Sequence, residues 1–186
     1  MPKVPHIAIC SLAYAPLVGG AELAVKEITN RIPKAQFTCI THRFNAAWPA
    51  EEKVGNVQVI RVGKGKKSEH FYGRRGEKLF YVFRAFRLLE TINRRDPIDL
   101  LWAIMASYGG IAALLFKLRH PKIPLLLTLQ EGDSEQHILR RVGIFYTLWR
   151  MLFRRADYVH AISSYLADFA RRHGAVCPIE VVPNGV

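Results

Sequence analysis

Short, nearly continuous apolar runs alternate along this chain with longer stretches in which apolar residues recur every three or four positions. The runs fall at residues 7–12, 37–41, 57–62, 99–105, 124–129, 158–162 and 179–182. Runs of that length, rich in β-branched and aromatic residues, predict strands buried on both faces. Between them, 20–31 carries Leu23, Ala24 and Ile28 at helical spacing, with Ile32 just beyond. Residues 77–95 predict a helix with an apolar stripe of Leu79, Val82, Phe83, Phe86 and Leu89, and with Arg84, Arg87 and Arg94 opposite. Further helices are predicted at 111–118, 138–153 and 164–173, the last closed by Gly174.

Strand and helix therefore alternate, apart from a loop-linked pair of strands at 37–41 and 57–62. That order predicts an α/β fold: a Rossmann-like, doubly wound, mostly parallel seven-stranded sheet with helices on both faces. It accounts for residues 1–186 as one domain. Ligands of such sheets sit at the carboxyl ends of the strands. The turns after 7–12, 99–105, 124–129 and 158–162 are thus the places to look. The uncharged stretch 100–116 approaches the length of a membrane span, but Ser107-Tyr108-Gly109-Gly110 interrupts it. It reads as a strand, a glycine turn and a buried helix. Residues 63–78 are rich in basic residues and glycine and read as a loop.

Composition agrees with a packed domain: half of the 186 residues are apolar and 11% are aromatic. Lys and Arg number 27 against 15 Asp and Glu, a net charge of +12. Such a surplus attracts phosphate-bearing ligands, anionic lipid or nucleic acid. No nucleic-acid recognition motif accompanies it, so nucleic acid is not the expected partner. Cys10, Cys39 and Cys177 are scattered; the first two lie in strand-like runs and read as buried free thiols, which suits a reducing, cytoplasmic compartment. The seven histidines have no metal spacing, and no metal is expected. His42 follows a strand and is a candidate for the cleft, whereas His160 sits within one and reads as a core residue.

Gly19-Gly20 lies in the turn after the first strand and opens the first helix. A helix N-terminus offers free N–H groups, and glycine lets an anion approach them. The same pair also suits a plain tight turn. Neither G-x-G-x-x-G nor a P-loop is present, so the turn is no ordinary NAD or ATP cradle. Glu22, in the first helical turn, is placed to interact with the helix dipole.

"PLVGGAELAVKEI" resembles the first-turn motif of family 4 (group 1) retaining glycosyltransferases of the GT-B type. The closing "VVPNGV" is similar to that family's signature at the end of its N-terminal domain, and "RRADYVHAISSYLADFARRHG" resembles its sixth-strand region. The resemblance implies two Rossmann-like domains facing a cleft, the N-terminal one binding the acceptor. It implies a nucleotide-sugar as co-substrate rather than a cofactor, retention of configuration, and Gly19 and Gly20 beside the donor diphosphate. Asn184 and Gly185 would form the interdomain hinge. The C-terminal donor-binding domain is expected to be missing from this chain, which alone would not turn over. The family's acceptors imply a carbohydrate or lipid-linked molecule; the basic excess then fits either peripheral attachment to the cytoplasmic face of an anionic membrane or plain solvated helix faces.

The chain departs from the family where a histidine usually ends the fifth strand. Here "LLLTLQEGD" places Gln130, then Glu131, with Asp133 close by. Glutamine bonds a sugar hydroxyl but carries no proton; Glu131 or Asp133 could serve as a base if within reach. Gln130 and Glu131 are therefore the candidate catalytic pair, and Tyr108, Gly109 and His42 the candidate acceptor pocket. The helix at 138–153, with Phe145, Tyr146, Trp149 and Phe153 among arginines, fits either a membrane interface or a buried core helix. A non-catalytic module for a sugar or phospho-ligand, or a charge-driven peripheral membrane binder, remain as alternative readings.

Overall fold

The computed structural model describes residues 3–66 and 75–184. The strands are β1 (His6–Cys10), β2 (Gln36–His42), β3 (Glu51–Val54), β4 (Val57–Val62), β5 (Leu100–Ile104), β6 (Leu125–Leu129), β7 (Tyr158–Ala161) and β8 (Ile179–Val181). The helices are α1 (Gly20–Asn30), α2 (Arg75–Arg95), α3 (Tyr108–Arg119), α4 (Glu135–Val142), α5 (Tyr146–Arg155) and α6 (Ser164–Arg172). One sheet runs β3-β4-β2-β1-β5-β6-β7-β8, parallel throughout except for the β3–β4 pair. The order reverses between β1 and β5, which is the switch point where ligand clefts of doubly wound sheets open.

Alternate residues of the central strands feed two cores. Cys10, Ala103, Leu127 and Val159 face α2, α3, α5 and α6, while Ile9, Cys39, Val59 and Trp102 face α1. Cys10 and Cys39 are fully buried, and burial pushes both thiols up, Cys10 to about 12, so both stay protonated packing residues. Residues 100–116 resolve into β5, a turn and most of α3. Among the described residues no helix is long and apolar enough to cross a membrane.

Three expectations need correction. The sheet has eight strands rather than seven. β3 escapes the pattern because "EEKV" is short and charged, as suits an edge strand paired on one side only. It joins β4 through Gly55, whose φ of 58° explains the turn glycine. The helix expected at 138–153 is two helices, broken at Gly143 (φ 50°) by a 3₁₀ turn over Gly143–Phe145. Trp149 and Phe153 join the core, while Phe145 and Tyr146 remain exposed. The stripe of α2 is rotated from its expected position: Tyr81, Val82, Ala85 and Leu89 are buried, but Leu79 and Phe83 are not. Tyr81 can be buried because its hydroxyl donates to the carbonyls of Ser11 and Ile40, both at 3.1 Å.

A buried arginine braces the cleft end. The Arg61 side chain is fully enclosed and pairs with Glu52 of β3. It also donates to the carbonyls of Pro49, at 3.0 Å, and of Ala15, at 2.5 Å. The loop after β1 is further held by Thr41 Oγ1 and His42 N–H, both donating to the Leu12 carbonyl at 3.1 Å. The glycine turn thus hangs from a well-anchored loop.

Candidate functional site

Gly19 is the N-cap of α1, in extended conformation, and its carbonyl accepts from Leu23 N–H at 3.0 Å. No side chain caps the helix from that position. Gly20 faces open space: a Cβ there would meet nothing within 4 Å. Over Gly19, by contrast, lies the carboxylate of Glu22, where a Cβ would strike it. Glu22 therefore sits against the positive end of its own helix, as expected.

The second part of the site is built where β5 and β6 end. Met105 follows β5 with φ 65°, a left-handed conformation that a non-glycine residue adopts at a cost of about 1–2 kcal/mol. Its N–H keeps the sheet register by donating to the Thr128 carbonyl at 2.8 Å. The next residue, Ala106, donates its N–H to Glu131 Oε1 at 2.5 Å. The Ala106 carbonyl accepts from Trp149 Nε1 of α5 at 2.7 Å. One strained residue thus precedes a peptide held on both sides, and one side is the candidate catalytic carboxyl.

Glu131 is half-buried as a residue, but its Oε2 is enclosed and has no hydrogen-bond partner. Burial pushes its carboxyl up to about 7. The backbone N–H groups of Ala106, Glu131 and Gln130 pull the other way, and the Asp133 carboxylate adds to the rise. Asp133 itself is exposed and pairs with Arg141 at 2.6 Å. Of the two acids, Glu131 has the environment of a proton-transferring group near neutral pH. Gln130 is buried beside it and accepts from Asn184 Nδ2 at 3.4 Å, which brings the closing motif onto the end of β6. Gly185 lies outside the described residues.

The three residues expected to shape an acceptor pocket are placed differently. Tyr108 starts α3, half-buried, with the Lys78 ammonium 5.9 Å from its ring centroid. Gly109 is buried with its α-carbon against β1: a Cβ would stand 2.8 Å from the Cys10 carbonyl oxygen. Its backbone role is close packing of α3 on the strand. His42 ends β2 and lines a separate cavity beside α2. His160, expected in the core, is only partly buried in β7, bonding the Val182 carbonyl at 2.9 Å and approaching Thr128 Oγ1 at 3.4 Å.

A mostly parallel, doubly wound sheet covered by helices is the fold of GT-B glycosyltransferase domains. Sucrose-phosphate synthase from Thermosynechococcus elongatus superposes with a TM-score of 0.71 at 15% identity, covering 98% of this chain and 48% of that one. A structure described as trehalose-6-phosphate from E. coli bound with UDP-2-fluoro glucose gives 0.63 at 12% identity, covering 97% and 49%. UDP-glucose: anthocyanidin 3-O-glucosyltransferase in complex with UDP gives 0.59 at 10%, covering 100% and 54%. The chain spans about half the length of these structures. No curated protein matches the sequence. The family model for the glycosyl transferase 4-like domain matches residues 19–185, and the chain belongs to that family.

Two parts of the site escaped the sequence reading. The Ala106 peptide has no sequence signal, since any residue can supply a backbone N–H. Arg61 looked like one more position of a strand, although an arginine inside an apolar run is itself a hint of a buried partner.

Proposed function

We propose that this chain is the acceptor-side domain of a two-domain retaining glycosyltransferase that moves a sugar from a nucleotide-sugar to an acceptor hydroxyl. The observation that carries the reading is the enclosed Glu131 carboxyl, bonded to Ala106 N–H with its second oxygen unpartnered. In this reading the bond from sugar to nucleotide breaks and the nucleotide leaves with the electron pair. The acceptor oxygen bonds the anomeric carbon, and Glu131 takes the hydroxyl proton. Gln130 holds a sugar hydroxyl, and the N-terminus of α1 at Gly19 and Gly20 meets the donor phosphates. A second domain supplies most donor contacts, so the 186-residue chain alone does not turn over. The buried free thiols suit the cytoplasm. Exposed Leu79, Phe80 and Phe83 on α2, beside Arg84 and Arg87, favour contact with an anionic membrane face.

The test is nucleotide release from a panel of nucleotide-sugars, by the protein with its native downstream sequence and by the 186-residue chain in parallel. Turnover by the longer form alone is expected; no turnover and no donor binding by either form would leave a non-catalytic binding module. Gly20→Val sharpens the test, because the space over Gly20 is open and the fold has room for the side chain. Donor affinity is expected to fall at least tenfold, read by calorimetry, with little change in melting temperature. Unchanged affinity would remove the phosphate role from this loop.

A further inference from the structure

The loops after β2 and β4 are joined edge to edge. Arg43 N–H donates to the Val62 carbonyl at 2.9 Å, and Lys66 N–H to the Phe44 carbonyl and Ala46 N–H to the Lys66 carbonyl, each at 3.0 Å. Between this joined rim and the first turns of α2 lies a cavity of about 240 Å³, lined by His42, Phe44, Lys64, Lys66, Phe80 and Arg84 among others. Small-molecule sites typically measure about 300–1,000 Å³, so this one suits one end of a ligand rather than a whole one.

Its charges are unevenly committed. Lys66 pairs with Glu77 at 2.9 Å. The Arg43 guanidinium, also at the cavity, is turned to the carbonyls of Ala46 and Trp48. Lys64 and Arg84 have no hydrogen-bond or ion-pair partner among the described residues. Lys64, Lys66 and Arg84 thus share the cavity lining with one carboxylate, that of Glu77. His42 is only 8% exposed, and its Nδ1 is enclosed without a hydrogen bond. That nitrogen looks onto the space left by Gly63, where a Cβ would stand 3.4 Å away. Burial lowers the His42 pKa, against the pull of Glu77 and the Val62 backbone and with the help of Arg84 and Lys78.

We propose that this cavity is a phosphoryl subsite, holding a phosphate or phosphodiester carried by the acceptor, with Lys64 and Arg84 as the pairing cations and His42 as an inner contact. The acceptor assignment rests on reading the chain as the acceptor-side domain. A guanidinium matches two phosphate oxygens, and an ammonium supplies a point charge. A doubly or singly charged oxyanion fits a cavity lined by Lys64 and Arg84 beside a His42 Nδ1 that has no hydrogen bond of its own. The phosphoryl group could belong to a soluble sugar phosphate or to a lipid headgroup, since exposed Phe80 and Phe83 lie on the same stretch of α2.

The experiment follows the His42 imidazole signals by NMR in the full-length protein while inorganic phosphate is added at constant ionic strength. A saturable shift is expected, weakened at least tenfold by Lys64→Gln with Arg84→Gln. The charge-matched pair Lys122→Gln with Arg155→Gln, away from the cavity, should leave it within twofold. No saturable shift, or equal weakening in both doubles, overturns the subsite. Glucose 6-phosphate and vesicles containing phosphatidic acid are then added as competitors. Displacement by either supports an acceptor role and tells a soluble source from a lipid one; displacement by neither overturns that role. Nucleotide release is measured in the same proteins. Release without a phosphate response removes the subsite alone, whereas absence of release in the unaltered protein counts against the transferase reading.

Discussion

Glu131→Gln is expected to make the protein more stable above pH 7 and far less active. The carboxyl titrates near 7 in the folded chain, against an ordinary value of 4.5. Below about pH 4.5 both folded and unfolded states hold the proton, and the group adds no pH-dependent penalty. Between about 4.5 and 7 the unfolded chain sheds its proton while the folded chain retains it, so stability falls as pH rises. Above 7 the penalty is complete, on the order of 3 kcal/mol as an upper bound. Glutamine carries no such penalty and keeps an oxygen for Ala106 N–H, though its amide must also find a partner. The melting temperature of the variant relative to wild type should therefore climb from pH 4.5 to pH 8 by several degrees. Turnover should drop about a hundredfold or more, and any activity left should lose the wild-type inflection near pH 7. A variant that melts lower than wild type at pH 8 would mean that the carboxylate, and not the acid, suits the site.

Arg61→Met should destabilise the fold by about 2–3 kcal/mol, at or below the roughly 3–5 kcal/mol that breaking a fully buried ion pair costs, because Glu52 is 35% exposed on its side chain and keeps some water. For a chain of this size that is a fall of roughly 5–10 °C in melting temperature. The loss should exceed that of Glu52→Gln, since Arg61 also holds the carbonyls of Pro49 and Ala15. A double-mutant cycle separates the two contributions: coupling between Arg61 and Glu52 is expected, and strict additivity would show that the pair is incidental. Donor affinity should weaken with Arg61→Met as well, because the Ala15 carbonyl anchors the loop that leads to Gly19. A stable variant with unchanged melting would remove the bracing role.

The parallel sheet was legible because seven of its strands are apolar runs bounded by turn signals, and because the helices between them keep a 3.6-residue period. β3 was not, since an edge strand buries too little to leave an apolar run. The rotated stripe of α2 shows another limit: Leu79 and Phe83 fit a helical stripe, yet Ala85 and Tyr81 are what the neighbouring elements admit. Spacing alone does not say which of two apolar stripes turns inward. At the candidate site, Gln130 and Glu131 stand out in the sequence as polar residues closing an apolar strand, and Gly19 and Gly20 as a glycine pair opening a helix. The cavity beside His42 was not, because Lys64 and Arg84 reach it from loop and helix, and no local pattern links them. Nor could any pattern have marked Met105, a residue with no special liking for positive φ.

That residue has a consequence for how the protein tolerates heat. The Ala106 peptide points its N–H at Glu131 only while Met105 stays left-handed, and Met105 stays so only while Trp149 and the end of β6 grip the backbone on either side of it. Such a peptide is a spring-loaded latch. Modest warming that loosens the grip lets Met105 relax, and the N–H turns away from the carboxyl before any strand separates. If Glu131 carries out the proton transfer proposed above, turnover would then fade on a gentler slope than the melting curve, with a temperature optimum some degrees below the point at which the sheet comes apart.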